Sequence, residues 1–189
     1  MKIKITFALI IIALGVGAFW LFKVTGDSAP IPPPIEKFPI SITMKISSPA
    51  FNFNEAIPSK YTCDGESISP PLQVSELPEN TKSLALVVDD PDALSGTWIH
   101  WLVWNIDPQT TEIKENSVPQ GAVQGTTSSG KTAYGPPCPP SGTHRYNFRI
   151  YALDSTLDLT PSANISDFYD AIKPHILNSA ELMGVYSRE

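Results

Sequence analysis

Residues 40–46 alternate, with Ile40, Ile42, Met44 and Ile46 set against Ser41, Thr43 and Lys45. A period of two sends successive side chains to opposite faces, so the pattern predicts a half-buried strand. Residues 84–88 form a short continuous apolar run rich in β-formers, which suits a strand covered on both faces. Residues 97–106, dense in Trp, Ile, Val and Leu, predict another central strand. Residues 145–153 alternate again, with Tyr146, Phe148, Ile150 and Ala152 on one face. The carboxyl end follows a different rhythm. Ser166 can cap a helix that begins at Asp167 and puts Phe168 and Ile172 on one face. Pro174 interrupts it, a second helical stretch is expected over 175–183, and Gly184 is the natural stop.

The 19 prolines among 189 residues sharpen this reading. Proline breaks helices and cannot donate to a sheet ladder. The expected fold class is therefore mainly β with small C-terminal helices.

The amino terminus stands apart. Residues 5–22 carry no charge and are flanked by Lys2, Lys4 and Lys23. Eighteen uncharged, mostly apolar residues just suffice to cross a hydrocarbon core of about 30 Å as a helix. Bulky Phe19, Trp20, Leu21 and Phe22 close the run where signal cleavage requires small residues. The expectation is one transmembrane helix within residues 1–24, with a cleaved secretory signal as the alternative. The lysines before the run orient the rest of the chain outward by the positive-inside tendency. The expected location is thus membrane-anchored on the extracytoplasmic side, or secreted after cleavage. Residues 25–36, with Pro30, Pro32, Pro33 and Pro34, read as a stiff linker. The domain proper is expected over 37–189.

The formal net charge is −6, and beyond residue 35 there remain 10 basic and 18 acidic side chains. Such a balance repels phosphate backbones at long range, so nucleic acid is excluded as a natural partner. Any anion must be held locally by aimed donors. One motif invites the opposite conclusion. Residues 125–132 match the phosphate-loop pattern G-x-x-x-x-G-K-[ST]. That loop needs a buried strand before it and a helix after it. Here it is followed by Ala133-Tyr134-Gly135-Pro136-Pro137, which cannot continue a helix, and the nucleotide reading is rejected. Asn164-Ile165-Ser166 also fits a glycosylation acceptor pattern, one that chance produces often.

The residues able to carry chemistry are few. Asp89-Asp90-Pro91-Asp92 follows directly on the buried run, so its carboxylates sit at the rim of a sheet or in an ordinary turn. His100 lies within Trp98-Ile99-His100-Trp101-Leu102, where strict alternation puts Trp98, His100 and Leu102 on one face. A buried imidazole needs a partner. His144 lies where a Pro/Gly loop enters a strand, and His175 reads as a surface or packing residue. Asp90, His100 and His144 could together form a cleft for an anion, with hydroxyl donors from Tyr134 and Tyr146.

Three ordered motifs make the match specific. Asp90-Pro91-Asp92-Ala93, Trp98-Ile99-His100-Trp101-Leu102-Val103 and the segment from Gly135-Pro136-Pro137-Cys138 to Thr143-His144-Arg145-Tyr146 resemble the signatures of the phosphatidylethanolamine-binding proteins, also called the Raf kinase inhibitor protein family. Tyr61-Thr62-Cys63-Asp64-Gly65 and Ala180-Glu181-Leu182-Met183-Gly184-Val185-Tyr186 resemble its bacterial and archaeal branch. The resemblance implies a β-sandwich with a small cavity that takes phosphate, acetate or phosphoethanolamine headgroups. It maps Asp90, His100 and His144 onto that cavity, with Tyr146 beside them. It accounts for the false phosphate loop as part of the family's own pattern. Eukaryotic members are mostly cytosolic, and the prokaryotic branch lacks their carboxyl-terminal region, so the resemblance does not carry kinase regulation over. Cys63 and Cys138, the only cysteines, both lie in family motifs. A disulfide between them is expected in an outward location, two free buried thiols being the alternative.

The expected function is binding of a small anionic or phosphorylated ligand, without metal or cofactor. One alternative is an inhibitor of a protease or other protein partner. Another is a hydrolase working through the Asp/His cluster, although no G-x-S-x-G elbow or other nucleophile motif exists. Two histidines and a carboxylate also resemble an iron triad, but the family resemblance favours an anion.

Overall fold

The computed structural model describes residues 43–188. They belong to one compact unit, Pro39–Glu189. Eight strands form two sheets. The smaller joins β1 (Lys45–Ser47), β2 (Leu72–Ser75) and β5 (Glu112–Ile113) in the order β1-β2-β5. The larger joins β3 (Ser83–Asp90), β4 (Trp98–Ile106), β6 (Val123–Gln124), β7 (Gly142–Leu153) and β8 (Ile176–Arg188) in the order β6-β4-β3-β7-β8. Every pairing between named strands is antiparallel. One α-helix, α1 (Ile165–Ile172), and two single-turn 3-10 segments complete the secondary structure of the described residues.

The unbroken apolar run of β3 has a direct cause. Leu84, Leu86 and Val88 face a core shared with Ile46, Leu72, Val74 and Ile113 of the smaller sheet. Ala85 and Val87 face the other way, onto a second core with Trp104, Leu157, Phe168 and Ile172. All eight residues of β3 are buried. Fully burying a side chain such as Leu84 or Phe168 stabilises the fold by about 1.5–3 kcal/mol. On β7, Tyr146, Phe148, Ile150 and Ala152 face the first core, as their alternation predicts.

The structure corrects the expected fold class at two points. The transmembrane helix expected over residues 5–22 lies outside the described residues, as do linker 25–36 and the positions of Ile40 and Ile42. Among the described residues no helix is long and apolar enough to cross a membrane. The architecture found is two sheets with few helices, not a β-domain with a demonstrated anchor. The second correction concerns residues 175–183. His175 ends a 3-10 turn, and from Ile176 onward the chain is not helical but forms β8, which pairs with β7 from Leu153↔Ile176 to Gly142↔Arg188. Burial along β8 largely alternates, and an adjacent strand satisfies its backbone, so tertiary pairing overrides local helix propensity. Gly184 is no helix stop. It lies within β8, where a Cβ would come 2.6 Å from Ile57 Cγ1 and 2.8 Å from Phe51 Cε2.

Helix α1 also starts earlier than expected. Asn164, not Ser166, is its N-cap. The Asn164 side chain accepts from the Ser166 and Asp167 amides, and Asp167 reaches back to the Asn164 amide. This reciprocal capping leaves Phe168 and Ile172 buried as anticipated.

Candidate ligand-binding site

Antiparallel pairing brings the site together. The carboxyl end of β3 lies between the amino ends of β4 and β7, with Asp90 opposite Trp98 and Asp89 opposite Asn147. A cavity of about 490 Å³ opens there, and its lining includes Asp90, His100, Tyr134, His144 and Tyr146. All five ligand-binding candidates therefore converge on one hollow.

His100 reaches this hollow through a β-bulge. Val88 pairs with Trp101 but Asp89 pairs with Ile99, so His100 is an extra residue on β4. Strict alternation would place His100 with Leu102, which faces the second core. The bulge reverses the phase instead. His100 stands edge-on to the Tyr146 ring, at a centroid distance of 5.2 Å and an interplanar angle of 76°. The opposite-face assignment of His100 is thus corrected, because the inserted residue breaks the period of two.

Both imidazoles are anchored through Nδ1. His144 Nδ1 donates to Asp90 Oδ2 at 2.7 Å, and Asp90 Oδ1 accepts from the Asp92 amide at 2.8 Å. His100 Nδ1 donates to the Gly135 carbonyl at 2.8 Å, while the Gly135 amide donates back to the His100 carbonyl at 2.7 Å. Burial holds the His100 ring below its ordinary pKa, against the opposing effects of Gly135 and Asp90. Burial, reinforced by Asp90, pushes the Tyr146 hydroxyl well above its usual range. That hydroxyl is buried near the Cys138 backbone without a well-formed hydrogen bond to it. The Tyr134 hydroxyl, also pushed up by burial, donates to the Tyr61 carbonyl at 3.2 Å, so Tyr134 contributes wall more than donor.

The acidic triplet divides its labour. Asp90 faces the cavity. Asp89 points to the other face of β3, where it accepts from Asn147 and pairs with Arg149, and burial raises its carboxyl pKa. Asp92 clamps Arg145 through both carboxylate oxygens, which holds its pKa at about 2. His175 pairs with Asp154 at 2.8 Å and does not line the cavity.

Sequence reasoning did not select Trp98, Thr127, Ser129 or Lys131, which also line the cavity. The last three belong to the rejected phosphate loop. Residues 125–132 form a turn, with the Ser128 amide donating to the Ile99 carbonyl and the Thr127 amide to the Lys131 carbonyl. No helix follows. Their position just before Tyr134 was the available signal. Cys63 and Cys138 form the expected disulfide, with Cα atoms 5.4 Å apart, and Cys138 contributes to the cavity wall. Among the described residues no cluster of three or more His, Cys, Asp or Glu is arranged to hold a metal ion.

Comparisons with known proteins identify the family and the fold. Residues 47–187 match the family model described as phosphatidylethanolamine-binding protein. A UPF0098 protein of Methanothermobacter thermautotrophicus is 51% identical over 150 residues, covering 77% of this chain and 99% of its own. A crystal structure of a phosphatidylethanolamine-binding protein homolog from Chlamydia trachomatis is 42% identical, with a TM-score of 0.76 over 79% of this chain and 100% of that one. Escherichia coli YbcL, whose structure is described as a new member of the mammalian family, is 29% identical, with a TM-score of 0.73 over 77% and 99%. The chain belongs to the phosphatidylethanolamine-binding protein family, as its motifs suggested.

Proposed function

We propose that the cavity binds a small anionic or phosphorylated ligand of the phosphoethanolamine type. Family membership supports ligand binding in general. The observation that carries the finer reading is the pair of imidazoles: each has Nδ1 committed to a protein acceptor, which leaves both Nε2 atoms for a ligand in one cavity. The buried Tyr146 hydroxyl lies beside them, and Lys131 is the single Lys or Arg among the lining residues. A ligand amine has the Asp90 carboxylate as its counterpart. Histidines, a hydroxyl and one carboxylate suit a headgroup bearing both signs of charge.

Binding is favoured over hydrolysis because, among the described residues, no hydroxyl or thiol is hydrogen-bonded to either imidazole. A serine or threonine nucleophile needs such a base. Calorimetric titration with phosphoethanolamine tests the proposal. His100→Ala and His144→Ala should each weaken binding about tenfold or more, since each removes a buried hydrogen-bonding partner. Unchanged affinity in both variants would refute the assignment, and turnover of a phosphoester would replace it with the hydrolase.

A further inference from the structure

What the His100 ring offers a ligand is dictated by its partner. A carbonyl oxygen only accepts, so the Nδ1 that faces Gly135 carries a proton. The Nε2 of a neutral His100 ring then carries a lone pair. The ring has little freedom to exchange these roles. Gly135 is bonded to His100 in both directions, Tyr146 lies against the ring, and the residue is buried. Burial also opposes a second proton on the ring. His100 is therefore a hydrogen-bond acceptor inside the cavity. His144 likewise directs Nδ1 to a protein acceptor, the Asp90 carboxylate.

We propose that the cavity selects oxyanions bearing an ionisable proton, namely hydrogenphosphate and its monoesters, over isosteric oxyanions that have none, such as sulfate monoesters, and over phosphodiesters. This rests on the anion-binding reading above and narrows it. The P–OH of the ligand donates to His100 Nε2. The unprotonated oxygens accept from the buried Tyr146 hydroxyl. A sulfate or a diester turns oxygen lone pairs toward the lone pair of His100 and leaves that buried acceptor unpaired. The ligand class is then a terminal phosphoryl group, as in a free headgroup, rather than the diester of an intact phospholipid. A buried acceptor left unpaired corresponds to a loss of between about fivefold and a hundredfold in affinity.

The test is calorimetry near pH 6, where roughly half of a phosphomonoester retains its second proton. The probes are phosphoethanolamine, its isostere ethanolamine O-sulfate, and glycerophosphoethanolamine as the diester. The wild-type protein should prefer phosphoethanolamine over the sulfate by about fivefold or more. His100→Gln supplies an amide donor as well as an acceptor, and should collapse that preference. Equal affinity for phosphate and sulfate probes in the wild type would overturn the selectivity while leaving anion binding intact. A preference that survives His100→Gln unchanged would do the same. Failure of every probe to bind would remove the anion-binding reading itself. Nitrogen NMR of the wild-type imidazoles is independent of any variant: it should find Nδ1 protonated and Nε2 bare at His100, and a protonated Nε2 in the free protein would overturn the proposal.

Discussion

Removing the Cys63–Cys138 bridge is the perturbation whose size follows most directly from the structure. The bridge spans a sequence separation of 75 residues. Closing a loop of that length removes chain entropy worth about 4.5 kcal/mol from the unfolded state in the chain-entropy model. The bridge also staples two segments of the site. Cys138 belongs to the stretch that carries Gly135, the partner of His100, and Cys63 belongs to the segment whose Tyr61 carbonyl accepts from Tyr134. The Cys63 amide donates to the Pro137 carbonyl at 3.0 Å, a contact that remains without the sulfurs. Urea unfolding of the oxidised protein and of the Cys63→Ala/Cys138→Ala variant should therefore differ by about 4 kcal/mol. For a domain of this size that is on the order of 10–15 °C in melting temperature. Phosphoethanolamine affinity should fall as well, because the loop holding Gly135 loses its tether. Thiol titration of the denatured, unreduced protein should find no free thiols. Unfolding free energies that agree within about 1 kcal/mol, with affinity unchanged, would refute the reasoning, since that difference is well below the entropy of so long a loop.

Three further outcomes are expected. Gly184→Ala forces a Cβ against Ile57 and Phe51, so urea midpoints should show a loss of about 1–3 kcal/mol, and an unchanged midpoint would mean that Ile57 moves aside freely. Asn164→Ala removes the capping of α1 and should cost about 1 kcal/mol by the same assay, with no effect on ligand affinity because Asn164 lies outside the cavity lining. Because burial holds the folded pKa of His100 below its ordinary value of 6.5, the unfolded chain takes up a proton there that the folded chain refuses. Stability should accordingly decline as pH falls below about 6.5 and level off below the folded value. The decline should be shallower in His100→Gln when melting temperatures are compared between about pH 7 and 5, and parallel slopes would sink the argument.

The sequence by itself determined the strands with strong patterns. The run at 84–88 and the alternation at 145–153 announced β3 and β7, because burial on two faces or on one imposes those patterns directly. The pocket residues were equally legible. Asp90, His100 and His144 carry family motifs, and antiparallel pairing delivers them to one end of the larger sheet. Local chemistry also sufficed to reject the phosphate loop, since prolines after Tyr134 rule out the helix it requires.

Tertiary structure decided the rest. Residues 176–188 became a strand because β7 offers a long ladder of partners, a circumstance that no local window reveals. The face occupied by His100 depended on a bulge, and a bulge is defined by two strands together, not by either one alone. The tautomer of each imidazole followed from a partner 35 or 54 residues away, Gly135 for His100 and Asp90 for His144. Residue types and their periods are local properties and can be read along the chain. Register, phase and hydrogen-bond partnership are relations between distant segments, and they come into being only when those segments pack.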